Sequence, residues 1–293
     1  MAAFLFLKFT NHPLMQSLLN SYLSACLAEL AALKPGNVHA MADGHGMTVE
    51  QFVKSAELSA PYIGDEKLSV GQRILQAAQA TWQGVGCNTN LGILLLCAPI
   101  AHAYQAAGNQ FNTESLRQTL QQLSVQDAIE SYQAICLMNP AGLGHVSQQD
   151  VHQTPTVTLL EAMKLASHQD RVARQYAEGY RDVLDVGVPI FKRFAQKWER
   201  PGWAVTAIYL NFLSEYLDSH IVRKFGADQA RLIQQEAIQH RDAFFALDNP
   251  KTYFKTLMTW DVDLKNRGIN PGTSADLTVA CLFILALQGE QVK

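Results

Sequence analysis

Three short stretches bring together residues that could do chemistry. Lys34-Pro35-Gly36-Asn37-Val38-His39 runs on to Gly44-His45-Gly46-Met47. A lysine and a glycine beside a helix end suit a phosphate, and His45 is a candidate acid–base group. Gly84-Val85-Gly86-Cys87-Asn88-Thr89-Asn90 puts Asn88, Thr89 and Asn90 at the mouth of an apolar segment, more polar groups than capping alone requires. The third stretch, Asn270-Pro271-Gly272-Thr273-Ser274-Ala275-Asp276, leads into an almost wholly apolar helix reaching Leu287. Its first turn would offer free N–H groups and a positive dipole end to phosphate, with Asp276 beside it to hold a divalent cation. The plainer alternative is that Thr273 or Ser274 caps the helix and Asp276 complements its dipole.

Other stretches are weaker. Tyr62-Ile63-Gly64-Asp65 could bring a second carboxylate to the Asn88 loop. Gly142, Gly144, His145 and Asp150 share a long loop. Asp218-Ser219-His220 with Arg223-Lys224 places an acid and cations at one helix end, which reads first as dipole complementation and a surface pair. There is no GxxxxGK[ST], no HExxH, no GxSxG and no strand-borne GxGxxG. What remains fits a nucleotide or phosphorylated ligand with Mg²⁺ better than a nucleophilic hydrolase.

The elements that must position these loops are helical. Leu14, Leu18, Tyr22, Cys26, Leu30 and Leu33 recur at threes and fours, and Pro35 ends that helix. Thr48…Gln51, Ser69…Gln72 and Thr158…Glu161 have capping-box spacing. Helices are expected near 13–33, 49–60, 70–83, 91–107, 113–123, 125–138, 158–166, 169–184, 187–198, 201–222, 228–246, 250–265 and 272–287. Pro99 should bend or shorten the one from Leu91. The fold class is therefore all-α: a single multi-helix globular domain over 1–293, roughly a dozen helices with long loops of the functional kind.

Composition narrows the rest. Of the 293 residues 48% are apolar and only 17% charged, so many helices should be buried. A net charge of −3 without a basic run argues against nucleic acid as a partner. No apolar run is long enough for a bilayer and no signal-peptide pattern is present, so a soluble cytoplasmic protein, monomer or homodimer, is expected. The five cysteines, in apolar or small-residue surroundings, read as buried free thiols in a reducing compartment.

Lys34-Pro35-Gly36 with Gly44-His45-Gly46-Met47, then Gly86-Cys87-Asn88-Thr89-Asn90-Leu91-Gly92, then Asn270 to Leu277, stand in an order that resembles the triphosphoribosyl-dephospho-CoA synthase family from about residue 20 to about 287. The resemblance implies an all-helical transferase that uses ATP as a ribosyl donor. Adenine leaves C1′, and the 2′-hydroxyl of 3′-dephospho-CoA attacks, giving a prosthetic-group precursor. It implies that Lys34 and the Gly272–Ser274 amides, with Thr273 among them, hold phosphate, and that Gly36, Asn88, Thr89, Asn90 and Asn270 belong to the same substrate or nucleotide site. Asp276 would bind Mg²⁺ and act in catalysis with His45, with Asp65 as an added second carboxylate for metal and catalysis. The synthases continue their first motif as Gly-Ala-His-x-Asp-Met, where Gly46 here replaces spacer and acid. Their second reads Asn-Thr-His-Lys-Gly, where Asn90 and Leu91 replace imidazole and cation. This version resembles an archaeal and one-carbon-metabolising branch, in which the acceptor could differ. A small-molecule kinase or ligase of cofactor biosynthesis, or a non-catalytic nucleotide-binding descendant, stays open as an alternative.

Overall fold

The computed structural model describes residues 13–140, 142 and 149–292. Gly144 and His145 lie outside them. The described residues form fourteen α-helices, one π-helical turn and one 3₁₀ turn, and no β-strand. The helices are α1 (Pro13–Ala31), α2 (Val49–Gly64), α3 (Val70–Val85), α4 (Leu91–Ala106), α5 (Thr113–Gln121), α6 (Val125–Met138), α7 (Leu159–Ala166), α8 (Arg171–Ala177), α9 (Val188–Trp198), α10 (Pro201–Glu215), α11 (Ser219–Phe225), α12 (Ala227–Ala246), α13 (Phe254–Asn266) and α14 (Gly272–Leu287). The π-helical turn covers Asp182–Gly187 and the 3₁₀ turn Pro250–Tyr253.

The apolar pattern decides which helices are central. In α14 every residue from Leu277 to Leu285 is buried, and α4 is buried on nearly all sides. Helix α14 packs on α1, α4 and α10. Tyr22 of α1 meets Phe283 of α14 edge to face, ring centroids 5.8 Å apart. The predicted capping boxes at Thr48, Ser69 and Thr158 are formed.

Helix α4 runs through Pro99 rather than stopping there. Proline lacks the N–H that would bond the Leu95 carbonyl. The Tyr176 hydroxyl donates to that carbonyl instead, at 2.5 Å, and Tyr180 donates to the next one, on Leu96, at 2.8 Å. Tyr176 thus replaces the donor that the proline removes, and Tyr180 holds the adjacent carbonyl.

The expected helix from 201 to 222 is two helices. The chain leaves helical geometry at Tyr216 and restarts at Ser219, with Asp218 as the N-cap of α11, its Oδ1 accepting the His220 and Ile221 N–H groups. Likewise the segment 169–184 splits into α8 and the π-helical turn. Gly187, at the end of that turn, lies against Cys281 Sγ, which an added Cβ would meet at 2.2 Å. The cysteines depart from expectation in part: Cys26, Cys97 and Cys281 are buried, Cys87 is half-buried and Cys136 is exposed, all five as free thiols.

Candidate active site

The first and third predicted loops meet. Asn37 Nδ2 donates to Asn270 Oδ1 at 2.8 Å. Gly36 takes φ +83° and fits between Leu264, Pro271 and the Ile269 carbonyl, where a Cβ would come within about 3 Å of each, so glycine is required there. Its N–H donates to Asp261 Oδ1 at 2.8 Å. The other Asp261 oxygen accepts from Lys265 Nζ at 2.9 Å and lies 3.3 Å from His39 Nε2. Tyr209 donates its hydroxyl proton to the Pro35 carbonyl at 2.6 Å. The loop is thus tied to α10, α13 and the entrance of α14.

Lys34 is fully buried, and each of its three ammonium protons has an acceptor: the Glu29 carboxylate, Asn37 Oδ1 at 2.9 Å and the Val38 carbonyl at 2.7 Å. The expectation that Lys34 holds phosphate is corrected on this point, because no donor is left over. Lys34 is the internal tie that shapes the loop.

The entrance of α14 also differs from expectation. Neither Thr273 nor Ser274 caps it. Asp218 does so from another helix: its Oδ2 accepts both the Ser274 N–H and the Ser274 hydroxyl at 2.8 Å. The Gly272 N–H donates to the Asn270 carbonyl at 2.8 Å, and Thr273 Oγ1 accepts the His220 N–H at 3.2 Å. The amides of Gly272 and Ser274 were expected to hold phosphate. A carboxylate of the protein and a backbone carbonyl already occupy them, so this dipole end is closed from within.

Asp276 sits one turn further in, half-buried, with its carboxyl against Gly92 of α4. A Cβ on Gly92 would fall 2.0 Å from Asp276 Oδ2. The carboxyl makes no hydrogen bond or ion pair among the described residues. Burial first, then the Asp218 and Glu29 carboxylates, push its pKa well above the usual carboxylate range, against the pull of Arg223. Arg223 itself pairs with Asp170 at 2.5 Å.

His45 stands nearby at φ +58°, its Nε2 donating to the Gly36 carbonyl at 2.7 Å. A carbonyl can only accept, so Nε2 carries the proton and Nδ1 keeps its lone pair. Burial lowers the pKa, and the Lys224, Lys265 and His220 charges lower it further. His220 is held the same way, with Nδ1 on the Asn270 carbonyl at 2.8 Å.

The second loop borders this cluster through α4. Asn88 Oδ1 accepts the Leu91 N–H at 3.2 Å, Thr89 Oγ1 donates at 2.5 Å to Ser55 Oγ, whose own proton goes to the Gln51 carbonyl, and Asn90 Nδ2 donates to Thr81 Oγ1 at 3.2 Å. Asp65 does not join it. It is the C-cap of α2, at the end where Gln105 of α4 bonds the Gly64 carbonyl. Gly92 and Gln105 are at opposite ends of α4, separated by about 20 Å at a rise of about 1.5 Å per residue. Asp65 is therefore corrected as a partner of Asp276. The carboxylates whose charge reaches Asp276 are those of Asp218, Glu29 and Asp170.

The sequence offered partial signals for these. Asp218 and His220 stood out only as a charged helix end, and their role emerges once α10 and α11 separate at that point. Glu29 and Asp261 carry no motif signal, each being one acid inside a helical repeat.

In this all-α fold the candidate residues gather where helix ends meet. A family model described as ATP:dephospho-CoA triphosphoribosyl transferase matches residues 15–293. The chain belongs to that family. Among solved structures, a proposed triphosphoribosyl-dephospho-CoA synthase from Archaeoglobus fulgidus shares the fold with a TM-score of 0.64 and 24% identity, over 82% of this chain and 99% of that one. A comparison with curated proteins gave no match. Among the described residues no helix is long and apolar enough to cross a membrane.

Proposed function

We propose that the protein transfers the triphosphoribosyl group of ATP to the 2′-hydroxyl of 3′-dephospho-CoA, with release of adenine. The observation that supports this most is the Asp276 carboxyl, seated on Gly92, without a protein partner among the described residues and flanked by other carboxylates. Cleavage of the bond from C1′ to N9 builds positive charge on the ribose, and enclosed negative groups stabilise it. The electron pair of that bond leaves with adenine, which takes up a proton. The acceptor oxygen bonds to C1′, and its proton passes to a base. His45 suits that role: Nδ1 is free, and burial with neighbouring cations keeps the ring neutral near pH 7. Lys224, whose charge reaches His45, supplies positive potential for the triphosphate.

Mg²⁺ would enter with the nucleotide. Among the described residues no group of three His, Cys, Asp or Glu side chains is arranged to hold an ion. A single uncommitted carboxylate, Asp276, fits the way Mg²⁺ is bound by one or two carboxylates and substrate phosphates. The ion would neutralise triphosphate charge. Asp65 takes no part in this reading.

The test is incubation with ATP, Mg²⁺ and dephospho-CoA, with adenine measured by chromatography. Adenine release that needs the acceptor, and that falls ~10³-fold in Asp276→Ala, is expected. Release of ADP in place of adenine, or no turnover, would reject the reading.

A further inference from the structure

Asp261 of α13 is a buried charge that the roles above do not use. It is 0% exposed. Burial opposes its ionisation, but His39, Lys265 and the Gly36 N–H outweigh that and bring its pKa below the usual carboxylate range. An ionised carboxylate taken wholly out of water is costly, so its partners show what it is kept for.

Those partners hold the two ends of one hydrogen bond, the one that His45 Nε2 donates to the Gly36 carbonyl. Asp261 Oδ1 fixes the acceptor end: it takes the Gly36 N–H, where Gly36 has its left-handed backbone. Asp261 Oδ2 fixes the donor end through Lys265. The ammonium bonded to Oδ2 also donates to the Ala42 carbonyl at 3.3 Å, and the lysine stem lies against Gly44, where an added Cβ would meet Cε at 3.0 Å. Ala42 and Gly44 lead into the tight turn that carries His45. Gly44 and Met47 exchange both backbone hydrogen bonds, at 3.1 and 2.9 Å, and the residues between them, His45 and Gly46, have φ +58° and +74°. Such a turn favours Asn, Asp or Gly at its first central position, so histidine is held there against backbone preference. His39 completes the arrangement: its Nδ1 accepts the Met41 N–H at 3.3 Å, which leaves its Nε2 proton on the side of Asp261 Oδ2.

We propose that Asp261 positions His45 for proton transfer, holding the Gly36 carbonyl directly and the turn from Gly44 to Met47 through Lys265, so that Nε2 stays bonded and Nδ1 is the nitrogen left for the acceptor hydroxyl. The proposal rests on the reading of His45 as the base and adds to it the residue that aims the ring. Asp261 itself touches no substrate. A base must sit within hydrogen-bond reach of the proton it takes, so loosening either end should slow the chemical step more than it weakens nucleotide binding.

The experiment is a double-mutant cycle on adenine release from ATP, with Mg²⁺ and dephospho-CoA, over wild type, Asp261→Ala, His45→Gln and the double variant. Asp261→Ala should lower kcat ~10²-fold with KM for ATP within about threefold. In the His45→Gln background the same change should cost under about twofold, because the group it aims is already gone. An equal loss in both backgrounds would overturn the proposal, since Asp261 would then act on the fold alone. The second measurement needs no turnover. In wild type with isotopically labelled histidine, the His45 Nε2 proton, identified by its absence in His45→Gln, should give a slowly exchanging, hydrogen-bonded N–H resonance. It should be lost in Asp261→Ala, and its persistence there would refute the proposal. Should Asp261→Ala not fold, Lys265→Met takes its place in both measurements, with the same pattern expected and the same results overturning it. If the wild type releases no adenine, the transfer reaction falls, and the NMR comparison still judges the positioning by itself.

Discussion

Asp218 and Asp276 lie on two sides of the same helix entrance and have opposite circumstances. Asp218 accepts four hydrogen bonds, two within α11 and two from Ser274. Asp276 accepts none among the described residues and rests on the bare backbone of Gly92. A carboxylate with all its acceptor positions filled fixes geometry. A half-buried carboxylate with none filled keeps its acceptor positions open to a cationic group, a metal or a transition state. The two also divide the task expected of one helix N-terminus: Asp218 takes the dipole end, and Asp276, in the proposed reaction, is left to the ligand.

Changes that erase this contrast should have the largest effects. Gly92→Ala drives a methyl group into Asp276 Oδ2, at an unrelaxed 2.0 Å. The carboxyl must move, and turnover should fall ~10²-fold, since small displacements of a positioned group cost that much. Stability should fall by about 1–3 kcal/mol, as for other overpacked sites. Steady-state adenine release beside urea denaturation separates the two. Turnover within about twofold of wild type would show that the Asp276 position is not critical.

Asp218→Ala strikes the other member. It removes the cap of α11 and leaves the buried Ser274 N–H and hydroxyl without an acceptor. A lost cap costs about 1 kcal/mol and unsatisfied buried donors about 1–3 kcal/mol, so about 2–4 kcal/mol should be lost in urea titrations. A loss under about 0.5 kcal/mol would mean that α14 does not depend on this cap.

The uncommitted carboxyl should also show itself by pH. The Asp276 pKa in the fold is raised above its ordinary value of 3.8. The folded state therefore binds this proton more tightly than the unfolded chain. The stability involved is fully present below the unfolded value and is lost as pH rises through the folded one. Asp276→Asn, which is never charged, escapes that loss. Measured without Mg²⁺, it should be more stable than wild type at pH 8, with the advantage fading as pH falls toward 4. An advantage of constant size across that range would contradict the enclosed, unpaired carboxyl.

How much of this was visible in the chain follows from the range of each interaction. The all-α class, the capping boxes at Thr48, Ser69 and Thr158, and the burial of Leu277–Leu285 come from neighbours within a turn or two, which periodicity and capping chemistry reveal. The meeting of the first and third loops was suggested by the family resemblance alone; the Asn37–Asn270 bond spans most of the chain. The role of Lys34 is not legible in the sequence, because a lysine near a helix end looks the same whether its partners are phosphate oxygens or Glu29, Asn37 and Val38. Asp218 was hidden for a different reason. Tyr216-Leu217-Asp218 has no glycine or proline to announce a break, so apolar periodicity carried the expected helix through it.

Asp65 provides the smallest effect and the cleanest control. It shares with Asp276 only its residue type. Its Oδ1 accepts the Lys67 N–H at 3.0 Å in an exposed turn at the end of α2, the full length of α4 from Gly92. Arg73, close by, is fully buried and bonded to the carbonyls of Ile63 and Leu68, so it is fixed without Asp65. Asp65→Asn keeps an oxygen for the Lys67 amide. Adenine release should stay within about twofold of wild type and stability within about 0.5 kcal/mol, as for surface changes far from a reaction centre. A loss of turnover near that of Gly92→Ala would place a second carboxylate in the reaction from the opposite end of α4. The division between a committed Asp218 and an uncommitted Asp276 would then be an incomplete account of the site.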